Sequence, residues 1–195
     1  MFTSRHVPPP SPATAALLAS HYGEPHRAYH NATHIAEVLG WFDWVWDQTG
    51  WDAAADVHAA VLFHDVIYDP LAKDNEARSA ALAVSHGASA RASELILLTA
   101  RHGALTSDDV DRDAAHFLDS DTAILGAEPH AFDAYDAAIR REYAAVPEDA
   151  FVAGRGTFLR TMLERPRIFL SELFHAELDA RARANLARAA ARYRR

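Results

Sequence analysis

Along NATHIAEVLGWFDWVWDQTG, residues 31–50, apolar side chains recur at Ile35, Val38, Leu39, Phe42, Val45 and Trp46. Steps of three and four residues trace one stripe of a 3.6-residue helix, whereas a strand would scatter the same positions over both faces. This spacing returns along the chain. β-Branched runs are scarce, and neither strand–helix alternation nor a solenoid-length repeat appears. The spacing predicts an all-α chain, and cap and breaker signals divide it. Ser11 and Pro12 open a helix that GEP breaks at 23–25. Asn31 opens a second, reaching about Asp47 and ended by QTGWD. A third covers about 53–68 and stops before Pro70; others are expected over 73–87, 92–103, 107–126, 129–145, 148–163 and from 166 into the tail. The expectation is a single-domain bundle of about seven to nine helices over residues 13–195, preceded by a mobile leader, residues 1–12.

With 195 residues, half of them apolar, the chain can bury a sizeable core. No apolar run approaches membrane-spanning length, and MFTSRHVPPPSP lacks the apolar segment of a secretory signal. The absence of cysteine excludes disulfides, thiolate nucleophiles and cysteine-based zinc sites, and fits a cytoplasmic location. A net charge of −8 argues against a nucleic-acid polymer or a membrane as partner. The one basic cluster, RARANLARAAARYRR, reads as a solvated terminal helix. A homodimer is left open beside a monomer.

The chain carries twelve histidines, so their placement decides what they mean. In AVLFHDVIYDP, His64 shares the apolar stripe of Val57, Ala60 and Val61, with Asp65 about 100° round the helix. Taken alone, the pair reads as a buried hydrogen-bonded pair. His102 shares a stripe with Leu95, Leu98 and Thr99, and Asp121 one with Phe117, Ile124 and Leu125. Asp119 lies about 200° from Asp121, so periodicity selects Asp121 as the inward carboxylate. Upstream, HRAYHNATHI holds His26, His30 and His34. Several helices aiming imidazoles and carboxylates at one core suggest a shared cation of the Mn, Fe, Zn, Co or Ni kind.

The order His30, His64–Asp65, Asp121 resembles the H…HD…D pattern of the HD-domain superfamily of metal-dependent phosphohydrolases. The wider text, RAYHNATHI, FHDVIYDP, DNEARSA, LDSDTAILG, IRREY, GR and ELDARARANL, resembles a bacterial family of predicted hydrolases within it, over roughly residues 15–190. The resemblance implies an all-helical HD-type fold and one divalent ion (Mn, Fe, Co, Ni, Zn or Mg) on His30, His64, Asp65 and Asp121. His34 would be a fifth ligand or stand behind the ligands. It implies hydrolysis of a small phosphate ester or nucleotide by a metal-activated water, with Asp65 taking the proton. His102 is then the candidate acid for the leaving group, or a packed helix-terminal histidine. Arg27 is the first candidate phosphate partner, and Arg140 and Arg155 are further ones; Arg140 and Arg155 read first as internal salt bridges, Arg140 or Arg141 with Glu142 or Glu177 for example. Asn75 and Glu76 could orient water or a sugar hydroxyl, or cap a helix. A di-iron oxygenase drawing on His34, His86 and His102, and a non-catalytic metal- or nucleotide-binding module, are the alternatives. Trp41 and Trp44 lie off the main stripe and are expected to pack against a neighbouring helix or the leader, or to line a pocket or dimer contact.

Overall fold

A computed structural model describes residues 2–193. Met1, at the head of the expected leader, and Arg194 and Arg195, at the end of the basic tail, lie outside the described residues. The described chain is all-α, with nine helices and no strand among the described residues. They are α1 (Pro12–Tyr22), α2 (Ala32–Gln48), α3 (Ala54–Phe63), α4 (Asn75–Ser85), α5 (Ala90–Thr99), α6 (Arg112–Thr122), α7 (Pro129–Glu142), α8 (Glu148–Glu164) and α9 (Glu172–Arg192).

The starts follow the local chemistry of the sequence. Side chains of Ser11, Asn31, Ser89, Asp111 and Ser171 accept hydrogen bonds from the first-turn amides of α1, α2, α5, α6 and α9. Helix α3 has no such cap of its own. Buried Asp113 of α6 instead holds the backbone just ahead of it, accepting from the amides of Asp52 at 3.0 Å and Ala53 at 2.7 Å. That bond also fixes α3 against α6.

Two helices are shorter than their periodicity predicts. Helix α3 ends at Phe63 rather than near Tyr68, so His64 and Asp65 lie on the turn that leaves it. The backbone can leave the helix there because other groups bind it. Arg27 donates to the carbonyls of Asp65 and Val66, and Ser79 Oγ accepts from the Ile67 amide at 3.0 Å. Helix α5 ends at Thr99, and His102 opens a separate 3₁₀ turn, His102–Ala104, instead of continuing the stripe.

The core has two parts. The first joins α1, α2, α3, α5 and α6 through Leu18, Ile35, Phe42, Val57, Ile96 and Phe117, all fully buried. The second joins α7, α8 and α9 to the ends of α2 and α6 through Val45, Phe132, Leu159, Phe174 and Leu186. Trp41 and Trp44 both pack on Phe174 of α9, with ring centroids 5.3 Å away in each case. Gly126 lets α9 approach closely, since a Cβ there would stand 2.6 Å from Leu178 Cβ.

The expected mobile leader is packed instead. Phe2 is buried in the first core, Ser4 donates to Asp43 at 2.5 Å, and the His6 ring stacks on Trp46 at 4.8 Å. Arg181, Arg183, Arg188 and Arg192 of the basic tail pair with Glu128, Asp179, Asp133 and Asp136. No described helix is long and apolar enough to cross a membrane.

Candidate metal centre

Four side chains converge where α2, the end of α3 and the end of α6 meet. His34, His64, Asp65 and Asp121 each offer one ligand atom, all within 4.8 Å of one another. His34 sits in the first turn of α2, placed by the Asn31 cap. His64 and Asp65 sit on the turn after α3, and Asp121 in the last turn of α6. His34 Nε2 lies 3.2 Å from His64 Nε2 and 3.1 Å from Asp121 Oδ1. His64 Nε2 is 3.2 Å from both Asp65 Oδ2 and Asp121 Oδ1, and His34 Nε2 is 3.6 Å from Asp65 Oδ2. Nitrogen and oxygen ligands at about 2.0–2.2 Å from one ion stand roughly 3–4.4 Å apart, so these separations suit a shared cation.

The donor chemistry fits as well. His64 Nδ1 is 3.0 Å from the Val61 carbonyl, which can only accept, so Nδ1 carries the proton. Neutral His64 therefore turns an Nε2 lone pair into the cluster, the tautomer a metal ligand requires. Two imidazole nitrogens 3.2 Å apart need something positive between them, a proton or a cation. With protons alone, burial works to lower the His64 pKa, and the charges of Asp65 and Asp121 more than reverse this, holding it well above the usual value. Burial likewise opposes ionisation of Asp65 and Asp121, yet beside His64 both stay below the usual carboxylate range.

His30, the expected first ligand, stands outside this cluster, and His34, read as a fifth ligand or a supporting group, stands inside it. His30 precedes α2, where its Nδ1 is 2.7 Å from Glu142 Oε2 and its ring stacks on Tyr68 at 4.3 Å. Glu142 of α7 is saturated with donors. Its Oε1 accepts from the amides of Tyr29 and His30, and its Oε2 from the Tyr68 hydroxyl at 2.8 Å. Burial raises the Glu142 pKa, but these donors outweigh it and bring it down to about 2. Burial also opposes charging His30, and the Glu142 hydrogen bond together with the charges of Asp65, Glu142 and Asp121 more than compensates, so its pKa is raised. Tyr68 and Glu142 were missed as neighbours of the site. Glu142 is 112 residues from His30, and no local pattern can signal such a pair.

Arg27, expected at a phosphate, is committed to the scaffold. It donates to Glu24 Oε2 and to the carbonyls of His30, Asp65 and Val66 at 2.7–2.9 Å, with its side chain fully buried. It thereby ties His30's loop to the His64–Asp65 turn. Asn75 closes the loop before α4, exchanging hydrogen bonds with the backbone of Asp69 at 3.0 and 2.8 Å. Glu76 is half-buried in the first turn of α4. Arg140 pairs with Glu148 at 2.8 Å and lies over the Phe151 ring, so the internal ion pair holds with a partner other than Glu142 or Glu177. Arg155 pairs with Asp136 at 2.9 Å, and its Nη2 is buried without a partner. His102 is buried, its Nε2 also without a partner, and burial lowers its pKa to about 4. Asp119 turns away from Asp121 and accepts from Leu170 N, Ser171 N and Ser171 Oγ, each at 2.7 Å.

Two cavities meet beside the cluster. A pocket of about 110 Å³ is lined by Asp121, Tyr29 and Thr122, and by His30, Tyr135 and Phe158. The last three also line a cleft of about 420 Å³ running between α7 and α8. The fold and site together define an all-α protein with a candidate His₂Asp₂ metal centre at the head of a cleft. The chain matches no protein-family model, no curated protein and no solved structure.

Proposed function

We propose that the protein is a metal-dependent phosphohydrolase of the HD-domain kind, acting on a small phosphate ester or nucleotide. The observation that carries this reading is the convergence of His34, His64, Asp65 and Asp121 from three separate parts of the chain, with the His64 tautomer set for ligation. The resemblance of the surrounding motifs supports it. A divalent ion held there supplies Lewis acidity to a water and to a phosphoryl oxygen.

The chain's own groups provide the rest. Asp65, with Oδ2 turned to the cluster, takes the proton of the attacking water on its other oxygen. The P–O ester bond breaks, and the leaving oxygen needs a proton. His102 is a poor donor, because burial keeps it neutral at pH 7. His30 lines both cavities, and its Nδ1 is fixed by Glu142, so Nε2 delivers that proton and inorganic phosphate and an alcohol result. The di-iron alternative draws on His86, but that ring is turned to its own helix, 3.0 Å from the Leu82 carbonyl.

The test is hydrolysis of aryl phosphates and a nucleotide panel with Mn, Co, Ni or Mg, beside metal analysis of protein purified without an affinity tag. The expected result is one metal per chain, turnover by wild type, and loss of turnover in Asp65→Ala. In His30→Gln, turnover should fall roughly 10²-fold or more with metal retained. Wild type and Asp65→Ala equally inert across the panel overturns the reading.

A further inference from the structure

The larger cleft is not explained by the metal centre, and its walls are of one chemical kind. Tyr135, Tyr143, Phe151 and Phe158 face it, with Ile139 and Val146 beside them. About 420 Å³ lies within the 300–1,000 Å³ typical of small-molecule pockets. Beside His30 at one end, these walls carry Arg155, 8% exposed. Its Nε is spent on Asp136 and its Nη1 reaches the Tyr135 hydroxyl at 3.3 Å. Its plane lies between Tyr135 and Phe158, 5.0 Å from each ring centre. Asp136 balances its charge, while Nη2 is left buried with no acceptor. A buried donor without a partner is destabilising, so Arg155 is short of one hydrogen-bond acceptor.

Resting on the phosphohydrolase reading, we propose that this cleft seats the leaving group of the ester, an uncharged planar aromatic group that turns a hydrogen-bond acceptor to Arg155 Nη2. Flat rings suit the aromatic walls, and a neutral acceptor suits an arginine already paired with a carboxylate. The position suits it too. The cleft shares His30, Tyr135 and Phe158 with the smaller pocket, which Asp121 also lines, so a phosphate beside the metal centre would bring its ester oxygen toward the His30 imidazole. A nucleobase and a simple arene share this chemistry.

Titration calorimetry on the full chain separates the cases without requiring turnover. The probes are adenosine, uridine, benzamide, toluene and ribose, each with and without Mn. At least one of the nucleosides or benzamide should bind ten times more tightly than ribose. Benzamide should bind at least fivefold more tightly than toluene, which has no acceptor. Nucleosides binding above benzamide would name a base as the occupant, and the reverse order a simple arene; both support the proposal. A Cβ on Gly154 would meet nothing within 4 Å, so Gly154→Leu should fill the cleft, fold normally by circular dichroism and weaken binding at least tenfold. Phe158, already 39% exposed, gives a second variant, Phe158→Ala, expected to weaken binding about threefold. Aromatic probes binding no better than ribose, benzamide equal to toluene, or both variants binding like wild type overturns the proposal. Binding of the expected pattern in a protein inert toward every ester leaves the aromatic site standing and sinks the hydrolase reading alone.

Discussion

His30 and His34 are four residues apart, yet only His34 has its ring among the four ligands. The difference is local. Asn31 caps α2, so His34 rides the helix while His30 stays on the loop, where Glu142 holds it. Replacing His34 by Ala should therefore abolish stoichiometric metal, whereas His30→Ala should retain it; elemental analysis of untagged protein decides, and the opposite order would show that His30 ligates. Arg27 makes a separate claim at this scale. Its buried guanidinium holds three backbone carbonyls that no other side chain binds among the described residues. Arg27→Met should cost about 2–4 kcal/mol in urea denaturation. Arg27→Lys should recover little, because a single ammonium cannot span a fork. If Arg27→Met unfolds like wild type and only KM for phosphate esters rises, the scaffold role is wrong and a phosphate role is right.

At the scale of elements, what the sequence made legible was whatever local chemistry settles. The stripe of α2, its Asn31 cap and the Ser11–Pro12 start of α1 appear where spacing and capping put them. The opposite faces of Asp119 and Asp121 on α6 likewise follow from helical periodicity. Periodicity failed at the ends of α3 and α5, because side chains from elsewhere take over the backbone just beyond them, Arg27 and Ser79 after α3 and Arg165 after α5. Arg27 and Ser79 end α3 from 38 and 12 residues away, a distance that no stripe reports. Asp119 is the reverse case, a carboxylate in α6 that accepts the amides of Leu170 and Ser171 ahead of α9 and so joins the two core parts. Asp119→Ala strands three buried donors and should cost about 2–3 kcal/mol while leaving metal content intact. Glu142 ties α7 to the loop before α2, and its contribution depends on pH. Its folded pKa, about 2, lies below the ordinary 4.5, so its stabilisation is present above pH 4.5 and is lost as pH falls toward 2. His30 has a raised pKa, so its share is full below 6.5 and fades only as pH rises through its higher folded value. The stability gap between wild type and Glu142→Gln should thus be widest near pH 5–6 and close on acidification. A gap independent of pH would mean that the carboxylate's charge contributes nothing.

For the whole molecule, the candidate ligands come from α2, the turn after α3 and the end of α6, elements that also share the first core. An ion bound there bridges segments 30 and 57 residues apart in sequence, from His34 to His64 and from His64 to Asp121, and the unfolded chain offers no such site. Binding is then coupled to folding. At a free metal concentration a hundred times Kd the native state gains about 2.7 kcal/mol, worth roughly 5–10 °C in Tm for a domain of this size. Chelation should remove that increment and re-addition restore it. The loss should also be uneven. Helices α8 and α9 pack in the second core through Leu159, Phe174 and Leu186, and none of the four ligands lies on them. Hydrogen exchange after chelation should accelerate in the first turn of α2, the end of α3 and the last turn of α6, and change little in α8 and in α9 beyond its first turn. That first turn is the exception because Asp119, two residues before Asp121, holds it. Uniform acceleration along the chain would mean that the molecule opens as one unit, with the metal centre stabilising both core parts alike.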